Sequence, residues 1–244
     1  MSLTALAEAI QASRYDLLST DLFDTVVLRD HTIESDRLAI ACRRSAARLG
    51  VNPSALTNLR WSLQRTAYEA VTIERPEAEA SLSAICRTAA IALGLGEEDA
   101  RLLQQIEVDV DIEHLSPHRP LLELLDRISR SGVRVIAVSD TYLHQADLHR
   151  ILDSVVGPHP IAAVYSSADL GLTKHRGGVF AAVAGRENVP GKRILHIGDN
   201  YHVDVRMAGH AGWHAVHLPR HRWGQVKKTL GKVRAVPTKM RTAR

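Results

Sequence analysis

Residues 15–25 read YDLLSTDLFDT. The run from Tyr15 to Thr20 reads as a short strand, and it stops at Asp21, a carboxylate set where an apolar stretch ends. Three later segments repeat the arrangement: Ser139 follows RVIAV, Lys174 closes GLTK, and Asp199 with Asp204 stands in GDNYHVD after RILHI. Alone, a polar residue after such a run is best read as a turn cap. Together the ordered set supplies a nucleophilic carboxylate, a hydroxyl, a cation and further carboxylates for a metal, which is what phosphoryl transfer through an aspartyl intermediate requires.

Working outward, five β-rich runs, YDLLST, RVIAVS, IAAVYS, RILHI and WHAVHL, alternate with helical stretches such as RPLLELLDRISR and GVFAAVAGR. This alternation predicts an α/β fold with a doubly wound parallel sheet, whose ligand sites gather at the carboxyl ends of the strands. From Thr32 to Leu115 no strand is read, and the chain looks like four successive helices. These are SDRLAIACRRSAARLG, PSALTNLRWSLQRTAYEAV, EAEASLSAICRTAAIALG and EEDARLLQQIEVDVDIEHL, with Gly50 and Gly94 as stops. The expected organisation is an α/β core of residues 1–31 and 116–218, a helical insertion of residues 32–115 and a basic tail of residues 219–244.

The order and local sequence of the four segments resemble the haloacid dehalogenase (HAD) superfamily, mostly Mg²⁺-dependent phosphatases and phosphotransferases, over about Tyr15 to Leu218. The resemblance implies a Rossmann-like core with the inserted helices as a cap that closes over the strand ends and excludes water. It makes Asp21 the nucleophile and a metal ligand, joined by the backbone carbonyl of Phe23 and by Asp199, with Asp204 supporting the metal. Ser139 and Lys174 then bind the phosphoryl group, and Asp140 and Asn200 are included among the substrate-contacting residues. The implied cofactor is Mg²⁺, and the implied partner is a small phosphorylated metabolite.

One position departs from the pattern. Where the superfamily's first motif usually carries a second carboxylate, two residues after the nucleophile, this chain has Phe23. In phosphatases that carboxylate protonates the leaving oxygen and then activates water, so its absence leaves an acid and base to be found, with Asp24 the nearest substitute. Haloalkanoic acid dehalogenases also carry an aromatic there and need neither acid nor metal, so dehalogenation stands as an alternative. A catalytically weak module that binds a phosphorylated ligand or a protein is the other. The carboxylates of GDNYHVD favour the phosphatase.

Composition bounds the rest. The formal charge of +4 conceals nine basic and no acidic residues after Leu218; without them 22 Lys and Arg face 27 Asp and Glu. Basicity thus belongs to the tail and does not mark a nucleic-acid-binding enzyme. WGQVKKTLGKV in that tail has helical spacing, and the first sixteen residues read as an amphipathic helix. With no transmembrane run, the expected location is the cytoplasm. Cys42 and Cys86 are read as buried reduced thiols. The thirteen histidines match no metal motif and are read as surface or turn residues, with His202 close enough in sequence to approach substrate. Arg43, Arg44, Arg60 and Arg65 are read as a solvated helical face, against an anion-binding alternative. Asp140 is read as a helix cap, and Gly198 as the residue that lets the strand turn sharply.

Overall fold

A computed structural model describes Ile10 and residues 15–219. The expectations for the N-terminal helix and for the basic tail beyond Pro219 lie outside the described residues.

The five expected runs form one parallel sheet of strands β1 (Leu17–Thr20), β4 (Arg134–Ser139), β5 (Ala163–Ser166), β6 (Ile194–Gly198) and β7 (His214–His217), in the order β5-β4-β1-β6-β7. Among the described residues, two further strands, β2 (Val27–Arg29) and β3 (Leu115–Pro117), pair antiparallel apart from that sheet. The chain leaves β1 toward β4 and β5 on one side and returns to β6 and β7 on the other. Strand β1 is therefore the point where the winding reverses, and a crevice opens beyond its carboxyl end.

Each central strand is buried on both faces, which is why it reads as a continuous apolar run. Alternate side chains divide between two apolar clusters. Leu17, Ile136, Val138 and Ile194 pack with Val179, Phe180 and Trp213, whereas Leu18, Val135, Ala137, Leu195 and Ile197 face the opposite layer. That second cluster runs on through Leu22, Phe23, Val26 and Leu143 into the helices between β2 and β3.

Those helices are α1 (Glu34–Leu49), α2 (Pro53–Glu74), α3 (Leu82–Ala92) and α4 (Glu97–Glu113). Gly50 ends α1 with a left-handed φ of 67°, as glycine at that position does. Helix α3 starts five residues later than the apolar pattern suggests, because the Ser81 side chain caps it. The sheet is covered by α5 (Arg119–Arg130), α6 (Gln145–Val155) and α8 (Gly178–Glu187), with a single-turn α7 (Ser167–Leu170) after β5. No helix among the described residues is long and apolar enough to cross a membrane. Cys42 and Cys86 are both buried and free.

The reading of Arg60 as part of a solvated face is corrected. Arg43, Arg44 and Arg65 are exposed, but Arg60 is only 3% exposed. Its guanidinium on α2 grips Glu107 of α4 bidentately, Nε to Oε2 at 3.0 Å and Nη2 to Oε1 at 2.6 Å, and donates to Gln64 Oε1 at 2.9 Å. The fork geometry suits a carboxylate and satisfies both buried ions. Removing one partner strands the other charge, so Arg60→Ala should cost about 3–5 kcal/mol. Urea denaturation would measure it, and a loss below about 1 kcal/mol would mean that water reaches Glu107.

Candidate active site

The parallel register aligns the strand ends: Thr20 of β1 stands beside Ala137 of β4 and Ile197 of β6. One residue on, Asp21 leaves the sheet between its neighbours, with its N–H donating to the Ile197 carbonyl at 2.7 Å. Ser139 ends β4 and Asp199 follows β6, so the two flank the crevice beside Asp21.

The link across the crevice is Lys174. It is 2% exposed, and its Nζ donates to Asp21 Oδ1 and to Asp204 Oδ1, both at 2.6 Å. Thr25 Oγ1 adds a weaker bond to Asp21 Oδ2 at 3.3 Å. An ammonium buried this deeply survives only where carboxylates compensate its lost hydration. Burial alone would lower the Lys174 pKa, but Asp21 and Asp204 overcome it and hold the amine protonated. Burial also pushes the Asp21 carboxyl upward, opposed by Lys174. At Asp204 the balance reverses: against the same desolvation, Lys174 and His196 hold the carboxyl well below the usual range.

Asp140 is corrected from a helix cap to a support for Lys174. Helix α6 starts at Gln145, with His144 at its N-cap. Both Asp140 oxygens instead accept backbone N–H groups across the crevice, Lys174 at 2.6 Å and His175 at 3.1 Å. The carboxylate thus fixes the loop that carries the cation.

Gly198 also serves differently from the expected sharp turn, since its φ is not among the positive ones. A Cβ built there would overlap Asp204 Cγ. Glycine is needed so that the Asp204 carboxylate can fold back against the strand and meet Lys174. The turn from Tyr201 to Arg206 that returns it is π-helical, and Asn200 caps it. Asn200 Oδ1 accepts from His202 and Val203 N–H, while its own N–H donates to Asp204 Oδ2 at 2.9 Å.

His196, a residue passed over within RILHI, completes the base of the site. Fully buried, it pairs through Nδ1 with Ser19 Oγ at 2.8 Å, and its Nε2 faces Asp204 Oδ1 at 3.3 Å. Burial lowers its pKa, although Asp204 pulls the other way, so the ring sits neutral beneath the carboxylate. A histidine inside an otherwise apolar strand was the available signal. The other histidines near this motif, His202, His210 and His214, are exposed, and His217 donates from Nε2 to the Asp199 carbonyl at 2.9 Å.

Phe23 is buried beside this cluster and carries the Arg29 guanidinium over its ring at 4.2 Å. Asp24, in a left-handed conformation with φ 61°, is paired with Arg29 Nη1 at 2.8 Å. Asp21, Asp199 and Asp204 each bring an oxygen within 4.8 Å of the others. Such a set of hard oxygen donors fits Mg²⁺.

The profile of the haloacid dehalogenase-like hydrolases matches residues 6–212. Solved structures share the fold at low identity. A 2-haloacid dehalogenase from Pseudomonas syringae pv. Tomato is 18% identical with a TM-score of 0.57, covering 83% of this chain and 86% of its own. A HAD hydrolase from Bacillus subtilis bound to magnesium is 18% identical with a TM-score of 0.51, covering 84% and 89%. A predicted phosphoglycolate phosphatase from Haemophilus somnus is 16% identical with a TM-score of 0.50, covering 85% and 87%. No curated protein matches the sequence closely enough to add to these.

Because Gly198 leaves room for Asp204, Gly198→Ala should force the carboxylate away from Lys174, costing about 1–3 kcal/mol as overpacking does. Activity should fall with it. A crystal structure of the variant with the contact between Asp204 and Lys174 intact would contradict this account.

Proposed function

Because this chain belongs to the haloacid dehalogenase-like hydrolases, we propose that it is a Mg²⁺-dependent phosphatase of a small phosphorylated metabolite, with Asp21 as nucleophile. The observation that carries this reading is the Lys174 ammonium held between Asp21 and Asp204 with Asp199 alongside. The Lys174 cation, together with a divalent metal that the three carboxylates would hold, would suit a dianionic phosphoryl group.

In this reading an oxygen of Asp21 attacks phosphorus and the ester P–O bond breaks; an aspartyl phosphate forms, and the leaving alkoxide takes its proton from solvent. Water then attacks phosphorus, releasing phosphate and restoring the carboxylate. Lys174 neutralises charge shared by phosphate and nucleophile, and Ser139 donates to a phosphoryl oxygen. Asp140 acts through the Lys174 backbone that it holds, and Asn200 acts through Asp204. Mg²⁺ would be held by Asp21, the Phe23 carbonyl and Asp199, with Asp204 in support, and would supply charge neutralisation at the phosphoryl oxygens. The helices of residues 32–115 serve as the cap that excludes water, and the two free buried thiols suit the reducing cytoplasm.

A second reading, displacement of halide from a haloalkanoic acid, is favoured by one observation: Phe23, two residues after Asp21, lines the neighbouring cavity. Carbon–halogen displacement requires no proton at the leaving group. Halide release from a 2-haloacid in the presence of a chelator would select it.

Asp21→Asn should abolish turnover of 4-nitrophenyl phosphate with the fold intact by circular dichroism; retained activity would remove Asp21 as nucleophile. Asp199→Ala should weaken Mg²⁺ at least about tenfold in calorimetry, and unchanged affinity would exclude this metal site. Phe23 cannot exchange a proton. With chemistry rate-limiting, turnover should therefore fall steeply from aryl to alkyl phosphates as the leaving-group pKa rises. Equal rates across the series would mean that another group supplies the acid.

A further inference from the structure

We propose that the cavity over Phe23 selects phosphate esters whose alcohol is uncharged and polyhydroxylated, and rejects those that carry a carboxylate. The proposal rests on the phosphatase reading for the place of the phosphate and adds the identity of the group beyond it.

The cavity, of about 390 Å³, opens between the strand ends and the helices of the insertion, with Phe23 and Asp140 at its base. That volume lies within the range of roughly 300–1,000 Å³ that accommodates ligands well above two or three carbons. Its walls bring in three carboxylates, Glu34, Glu79 and Asp111, and two guanidiniums, Arg29 and Arg37.

The pairing of these charges decides what can enter. Arg29 is engaged with Asp24 at 2.8 Å and lies over the Phe23 ring. Arg37 donates from Nε to Asp111 Oδ1 at 2.8 Å and from Nη1 to the Thr32 carbonyl at 2.6 Å. Both cations thus face carboxylates of the protein itself. The acids are arranged differently. Glu34 Oε1 accepts from the neutral Gln64 amide at 3.0 Å, and Glu79 accepts from the Tyr68 hydroxyl and the Ala80 N–H.

Neither Glu34 nor Glu79 has a guanidinium for a partner, although burial pushes the Glu79 carboxyl upward, whereas both guanidiniums are paired with carboxylates. An incoming carboxylate would meet like charge without a counter-ion, a mismatch that disfavours it relative to a neutral group. A hydroxyl does the opposite, donating into the lone pairs that Glu34 and Glu79 retain, and several hydroxyls can do so at once. Hence the cavity opposes a 2-haloacid and a phosphorylated hydroxy acid equally, and for the same reason.

The test is calorimetric binding to the Asp21→Asn protein, with the wild-type protein in chelator as a second form that cannot turn over. Hexose phosphates should bind at least about tenfold more tightly than phosphoglycolate or 3-phosphoglycerate. In the Glu34→Gln/Glu79→Gln double variant, that preference should narrow to within about threefold, because the repulsion and the strongest acceptors are removed together. Equal or tighter binding of the carboxylate-bearing phosphates, no binding of any of them, or an undiminished preference in the double variant would overturn the proposal. Wild-type hydrolysis of 4-nitrophenyl phosphate with Mg²⁺ reports separately on the phosphatase reading. Hydrolysis without the binding preference would retire the selectivity alone, and the preference without hydrolysis would retire the catalytic reading alone.

Discussion

The site is organised around one buried charge, the Lys174 ammonium set between Asp21 and Asp204. An ion with 2% exposure loses nearly all its hydration, and only close carboxylates restore that energy. Asp21 comes from β1, Lys174 from the loop before α8 and Asp204 from the turn after β6, so the contact joins three distant parts of the chain. Each participant is held by something else. Asp140 fixes the Lys174 backbone, Asn200 and the missing Gly198 side chain bring in Asp204, and Ser19 orients His196 beneath it. Much of the polar hydrogen bonding around the strand ends serves to keep one cation between Asp21 and Asp204.

Why this happens beside β1 follows from the winding of the sheet. Strands added on both sides of β1 leave a crevice where their connections part, and the register sets the ends of β1, β4 and β6 nearly level. Asp21, Ser139 and Asp199, at or just past those ends, then converge directly, whereas Asp204 needs the π-helical turn and Gly198 to reach them. Polar residues are tolerated there because they satisfy one another across the crevice.

The same physics explains what was legible in the sequence. Strands buried on both faces must be apolar throughout, so RVIAVS and RILHI announced themselves, and the helices of the insertion were visible through their amphipathic spacing. β2 and β3 were not, because three residues each, VLR and LSP, are too few to display a period. Asp21, Lys174 and Asp204 were legible as a set, and the structure brings those three together. What failed was the local default. Asp140 looked like a cap, yet its partner Lys174 lies 34 residues away, and Arg60 looked solvated, yet Glu107 lies 47 residues away. Spacing along the chain carries no trace of such partners, since tertiary packing alone selects them. Gly198 was singled out correctly for the wrong reason, because a close approach and a sharp turn both call for glycine.

Phe23 then becomes intelligible as part of two surfaces at once. Its buried ring belongs to the apolar cluster that continues from the sheet into the insertion, and its face supports Arg29 at the base of the cavity. A carboxylate there would stand two residues from Asp21 and next to Asp24, adding a third negative charge to a short loop whose nearby cation, Arg29, already has a partner. The aromatic ring removes that repulsion and binds the guanidinium through its face instead. The consequence is chemical as well as structural: a ring that packs and carries a guanidinium cannot exchange a proton, so position 23 contributes packing and no acid or base.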